Sequence, residues 1–228
     1  MNKKIVSLIT ARGGSKGIPR KNIIDVNGHP LISYTIKKSQ ESKVHETWVS
    51  TEDNTIQEIS KSYGARVINR PNKLSNDVIM PDAALVHFAE NYEFDILVFI
   101  QPTSPLLDSK YINLGLDMLK KYDSVFSAYK EHWYPRWTKQ FKPNNWDISN
   151  RPRNAGVGWN QGDNNKRPRR QDKQELYVEN GAFYITTKEN LLESQLRYSK
   201  NIGIVEMPYY ESFQIDSEND LQLIKKLL

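Results

Sequence analysis

The chain contains no cysteine. Disulfides, cysteine nucleophiles and thiolate metal sites are therefore excluded. Histidine is nearly as scarce. His29, His45, His87 and His132 are scattered without ligand-like spacing, and each reads as a structural residue rather than a metal ligand. A metal acting here would be a hard cation held by oxygen, such as Mg2+. No apolar run is long enough to cross a bilayer, so the sequence predicts a soluble protein of the cytoplasm. The short apolar run after Lys3-Lys4 imitates a signal peptide, but Arg12 ends it before any small-residue cleavage site. It reads instead as a first strand.

Within these limits, 228 residues with 38% hydrophobic and 26% charged content suit one α/β domain with a sizeable core. The net charge of +5 fits small polyanions as well as nucleic acid. That charge is concentrated in Lys166-Arg167-Pro168-Arg169-Arg170.

Strand-like and helix-like segments alternate. Ile5–Thr10, Thr47–Ser50, Arg66–Asn69, Ile96–Ile100, Val125–Ala128, Ala182–Ile185 and Ile202–Val205 read as strands. The continuous apolar run Ile96–Ile100 marks a strand buried on both faces. Helical periodicity runs through Ile56, Ile59 and Tyr63 to a stop at Gly64, through Ala83–Ala89, and through Tyr111–Leu119. A last helix, capped by Ser217 to Asp220, runs through Leu221, Ile224 and Leu227. The alternation predicts βαβ units and a mostly parallel sheet between helix layers. It breaks over 130–174, a stretch rich in Trp, Pro, Asn and Arg that reads as an insertion packing on a second subunit.

Four constellations carry chemistry. In Ala11-Arg12-Gly13-Gly14-Ser15-Lys16-Gly17-Ile18-Pro19-Arg20-Lys21-Asn22, a glycine-rich turn follows a buried strand, so its backbone N–H groups can approach an anion. Arg12, Lys16 and Lys21 add fixed positive charge. Neither the dinucleotide fingerprint nor the Walker loop fits, because Gly13 and Gly14 are adjacent and Ile18 follows Gly17. Gln101-Pro102-Thr103-Ser104-Pro105 closes the most buried strand, at the end where open α/β sheets bind ligands. The basic run 166–170 leads through Gln171 and Asp172 into Tyr177–Gly181, and its arginines suit carboxylate or phosphate. Asp216, at a strand-to-helix junction, could hold Mg2+ or simply favour the helix dipole.

Together and in this order, the motifs resemble those of the CMP-sialic acid synthetases (N-acylneuraminate cytidylyltransferases) over Ile5 to Leu221. The resemblance implies a Rossmann-like layered α/β/α nucleotidyltransferase fold, 1–228 as a single domain, with 130–174 as an inserted dimerisation segment of a homodimer. It implies transfer of CMP from CTP to a sialic acid, with Mg2+ as cofactor. Arg12, Gly13, Ser15, Lys16, Asn22 and Arg70 would bind nucleotide. Lys21 and Arg169 would be catalytic, and Asp216 would hold the metal. Gln101, Thr103, Ser104 and Gln171 would face the sugar acid. The chain departs from the family at Gln214, where many members carry a second aspartate. An enzymatic rival uses another nonulosonic acid, such as legionaminate, pseudaminate or deaminated sialic acid. A sugar-1-phosphate nucleotidyltransferase fits the loop less well. Neither membrane nor nucleic-acid binding is expected, although a nucleic-acid module built on Arg151 to Arg170 and nearby tryptophans is a remote alternative.

Overall fold

The computed structural model describes residues 3–15, 17–75, 79–131 and 175–228. The chain divides into two compact units, 1–129 with 178–228, and 130–177. In the second unit, the described residues pair the Glu131 N–H with the Leu176 carbonyl at 2.7 Å.

The first unit is built on a seven-stranded sheet. Its strands are β1 (Ile5–Thr10), β4 (Glu46–Thr51), β5 (Arg66–Asn69), β6 (Ile96–Ile100), β7 (Ser124–Lys130), β8 (Tyr177–Thr187) and β9 (Ile202–Glu206). A two-stranded hairpin of β2 (Asp25–Val26) and β3 (His29–Pro30) lies outside it. The sheet order is β5-β4-β1-β6-β8-β7-β9. β5, β4, β1 and β6 run parallel, β8 is antiparallel to β6, and β7 is parallel to β9.

Period-two alternation sends side chains to both faces of the sheet. Val6 and Leu8 of β1, Leu97 and Phe99 of β6 and Tyr184 of β8 enter one core, with α3 (Asp82–Asn91) and α5 (Lys188–Ser194) over it. Ile9, Val98, Ile100, Phe183 and Ile185 enter the other. That core is covered by α1 (Leu31–Gln40), α2 (Asn54–Ser62) and α4 (Ser109–Met118) through Ile32, Ile36, Ile56, Ile112 and Leu116. The result is the layered α/β/α arrangement that the alternating pattern implies. Each fully buried Leu, Ile or Phe in these layers contributes roughly 1.5–3 kcal/mol.

Local signals explain the element ends. Asp53 accepts the Ile56 N–H and starts α2, and Gly64 follows its last turn at φ +81°. Ser217 and Asp220 form a capping box that starts α6 (Glu218–Leu227). Among the described residues, two α-helices lie beyond the sequence reading. α1 lacks a clean apolar stripe because Ser33, Thr35 and Ser39 are buried. Their hydroxyls find partners inside: Thr35 donates to the Ile32 carbonyl, and Ser39 bridges Ser7 and Thr47 at 2.6 and 2.7 Å. α5 is a single seven-residue helix capped by Thr187. β8 is also longer than the predicted Ala182–Ile185.

From β1 the chain moves outward to β4 and β5, then crosses back to β6 on the other side of β1. The loops leaving the carboxyl ends of β1 and β6 therefore diverge. That switch point is where open α/β sheets form their ligand crevice.

Candidate active site

A cleft of about 510 Å³ opens at this switch point. Arg12, Ser15, Lys21 and Asn22 from the loop after β1 line it, together with Arg70 beyond β5, Gln101 and Thr103 beyond β6, and Asp216 ahead of α6. Residues from three of the four constellations thus line one cleft. Gly13 and Ser104 are not among the lining residues, but each is bonded to a group beside the cleft: Gly13 to Glu52 and Ser104 to Gln214. Lys16, Arg169 and Gln171 lie outside the described residues.

The loop after β1 is held close to the sheet. The Ala11 N–H continues the ladder by donating to the Ser50 carbonyl at 3.0 Å. The buried Asn22 amide donates to the Arg12 carbonyl at 2.9 Å and closes the loop on itself. Glycine leaves room where the loop touches its neighbours. A Cβ on Gly13 would meet Asp53 Oδ2 at 2.6 Å, and one on Gly17 would meet the Asp216 carbonyl oxygen at 2.6 Å. Arg20 adopts a left-handed conformation with φ 53°, and its guanidinium reaches Asp53 at 3.4 Å.

The charged groups are paired. Lys21 Nζ lies 2.8 Å from Asp216 Oδ1. Arg70, only 5% exposed, donates through Nη2 to Glu52 Oε2 at 2.8 Å and through Nε to Ser75 Oγ at 2.9 Å. The other Glu52 oxygen accepts the Gly13 N–H at 2.7 Å. Burial pushes the Glu52 carboxyl up, but the hydrogen bonds from Arg70 and Gly13 outweigh it and leave it below the usual carboxylate range.

The facing side of the cleft is uncharged. The Gln101 N–H donates to the Ala182 carbonyl of β8 at 3.1 Å, and the Ile215 N–H to the Thr103 carbonyl at 2.9 Å. Gln214 donates its amide to the Asn180 carbonyl at 2.5 Å, to Ser104 Oγ at 3.3 Å and to Gln101 Oε1 at 3.5 Å. Thr103 Oγ1 is buried with no hydrogen-bond partner among the described residues. A buried hydroxyl on a cleft wall without a partner is a group that a ligand can satisfy.

Sequence reasoning missed Glu52, which lies two residues beyond the recognised strand Thr47–Ser50 and directly follows β4. Its position at the carboxyl end of a parallel strand, beside the phosphate-type loop, was the available signal. Leu74, Ile79, Met80 and Phe99, which add apolar surface to the cleft, carry no such signal.

A Rossmann-like sheet with a cation-lined cleft at its switch point defines a nucleotide-handling α/β protein as a class. The chain belongs to the cytidylyltransferase family, whose model matches residues 6–228. It is 35% identical over 223 residues to N-acylneuraminate cytidylyltransferase A of Danio rerio, covering 96% of this chain and 49% of that protein. It is 30% identical over 232 residues to a pseudaminic acid cytidylyltransferase of Campylobacter jejuni, covering 98% and 96%. The chain thus spans about half the length of the animal relative and nearly all of the bacterial one. In fold it is similar to a CMP:2-keto-3-deoxy-manno-octonic acid synthetase solved in complex with CTP, with a TM-score of 0.70, 18% identity and 98% of each chain covered. Among the described residues, no helix is long and apolar enough to cross a membrane.

Proposed function

We propose that the protein transfers CMP from CTP to the anomeric hydroxyl of a sialic acid, giving CMP-sialic acid and pyrophosphate. The observation that carries this reading is the convergence of Arg12, Ser15, Lys21, Asn22 and Arg70 on one side of a single cleft, with Gln101 and Thr103 on the other. The first group suits a triphosphate and the second a polyhydroxylated acid. Family membership and the names of the relatives support the same choice.

In this reaction the sugar hydroxyl oxygen forms a bond to the α-phosphorus and gives up its proton to solvent, as the bond from that phosphorus to the bridging oxygen breaks and pyrophosphate leaves. The protein contributes positioning and charge neutralisation. Arg12, Ser15, Asn22 and Arg70, with Lys16, hold the nucleotide, and Gly13 shapes its loop. Lys21 faces the charge that develops on the phosphates. Gln101 and Thr103, backed by Ser104, orient the sugar acid. Arg169 and Gln171 are assigned to the same site by the family resemblance, as a catalytic residue and a sugar contact.

Mg2+ is the proposed cofactor. Among the described residues no group of three or more His, Asp or Glu could hold a metal ion. Asp216 alone, 65% exposed on the cleft wall, offers one carboxylate. One carboxylate with substrate phosphates and water is a usual setting for Mg2+, so the donor set fits an ion that arrives with the nucleotide. Bound there, the ion would neutralise triphosphate charge. Gln214 spends its amide N–H groups on Asn180, Ser104 and Gln101, a role a second aspartate could not fill.

A homodimer joined through 130–174 and a cytoplasmic location, where CTP is available, complete the reading. A second acceptor, pseudaminate, is favoured by the match to the Campylobacter jejuni protein over nearly its whole length. The test is to supply CTP and Mg2+ with N-acetylneuraminate, pseudaminate, legionaminate or deaminated sialic acid and to identify the nucleotide product by mass. CMP-N-acetylneuraminate as the dominant product supports the reading. Another CMP-sugar as the dominant product moves the choice to that acid. Oligonucleotide binding with no CMP-sugar formed would overturn it in favour of the nucleic-acid module.

A further inference from the structure

Glu52 takes no part in the reaction proposed above, yet its carboxylate joins Arg70, which would hold nucleotide, to Gly13, which shapes the nucleotide-holding loop. β4 lies between β1 and β5, and its ladders continue past the strand ends. The Ala11 N–H donates to Ser50 O and the Arg70 N–H to Thr51 O, each at 3.0 Å. Glu52 is the next residue on the middle strand, pinned from both sides. Its Oε1 accepts the Gly13 N–H at 2.7 Å, and its Oε2 accepts Arg70 Nη2 at 2.8 Å. Because Arg70 Nε also donates to Ser75, the guanidinium is held through two of its nitrogens. The side chains of Glu52 and Arg70 are 18% and 6% exposed, so both are shielded from water, where such contacts count for more. Asp53 reinforces the same loop through Arg20 and through its close approach to Gly13.

The Gly13 N–H is therefore committed to Glu52 and anchors the start of the loop. We propose that Glu52 is a positioning residue for nucleotide binding: one carboxylate sets both the start of the phosphate-facing loop and the plane of Arg70, so that both meet the triphosphate in fixed register. The proposal rests on the cytidylyltransferase reading. The opposite role, an acidic group that competes with the nucleotide for Arg70, would make its removal tighten binding. A guanidinium held by one charge-assisted bond to Glu52 and a second bond to Ser75 stays in one plane, and loss of that preorganisation weakens binding of the next anion.

The test is calorimetric titration of the full chain with CTP, for wild type, Glu52→Gln, Arg70→Ala and the double variant. Glu52→Gln is expected to weaken CTP binding about tenfold or more, as expected for one lost charge-assisted contact. In the Arg70→Ala background the same change should cost at least about threefold less, because contacts that act as a unit are not additive. A merely structural role would give equal losses in both backgrounds and would overturn the proposal, as would unchanged or tighter binding by Glu52→Gln. Should Glu52→Gln fail to fold, Glu52→Asp keeps the charge on a shorter arm that cannot reach both partners. Glu52→Asp is then expected to weaken CTP binding less than Arg70→Ala does, and undiminished binding overturns the idea. A wild-type chain that fails to bind CTP would sink the cytidylyltransferase reading and this proposal with it. Wild-type binding alongside an unaffected Glu52→Gln sinks the proposal alone.

Discussion

On the side of the cleft built by β1, β4 and β5, the charged groups come as ion pairs: Arg70 with Glu52 and Arg20 with Asp53. On the side built by β6 and β8, the groups are neutral: Gln101, Thr103, Ser104, Asn180 and Gln214. The first wall presents positive charge already held in place, which suits a polyanion. The second offers amides and hydroxyls, including Thr103 Oγ1, which has no partner among the described residues, and these suit a ligand that brings its own hydroxyls. Lys21 and Asp216 join the two walls, because Lys21 belongs to the loop after β1 and Asp216 follows Ile215, whose N–H is bonded to Thr103.

The strongest way to break the contrast is at that join. Lys21→Ala should lower kcat by about a hundredfold or more, the usual loss when one preorganised charge facing a transition state is removed. The fold should persist, checked by an unchanged far-ultraviolet circular dichroism spectrum. Next in size is Arg70→Ala. It strips the charged wall and leaves Glu52 shielded without its cation, so it should raise the KM for CTP and cost about 3 kcal/mol of stability in urea unfolding. The KM for the sugar acid should hardly move. Thr103→Val tests the neutral wall: the KM for the sugar acid should rise about tenfold, consistent with one lost buried hydrogen bond, while CTP affinity stays unchanged.

The smallest effect separates the walls by pH. The folded pKa of Glu52 is lowered, so its contribution to stability is present above its unfolded value, about 4.3, and is lost as pH falls through the lower folded value. Asp82 follows the same rule. Burial raises its carboxyl, and the stronger pull of Arg197 brings it below the usual range. Urea midpoints should be level above about pH 5 and fall on further acidification. Glu52→Gln should flatten part of that fall, whereas Thr103→Val should not.

Much of this contrast was legible in the sequence, and the reasons differ by region. The loop from Ala11 to Asn22 announces itself because a buried strand, adjacent glycines and cations have few other uses together. The strand Ile96–Ile100 and the Gln101–Pro105 turn are legible because an unbroken apolar run ends in a polar motif. Glu52 was not, since a carboxylate after a strand looks like any helix-start residue until Gly13 and Arg70 are seen to share it. α1 was hidden because buried hydroxyls interrupt its apolar face, and that of Ser39 finds its partners in the neighbouring strands β1 and β4. Gln214 read as a departure in a metal motif. Its bonds to Asn180, Ser104 and Gln101 tie it to the neutral wall instead.

The most direct measurement is pyrophosphate release with Mg2+ and CTP alone, with a nine-carbon sugar acid alone, and with both. Two walls that hold two substrates require release only when both are present, with separate saturation by each. Equal release from CTP alone, or none with any sugar acid, would contradict the account.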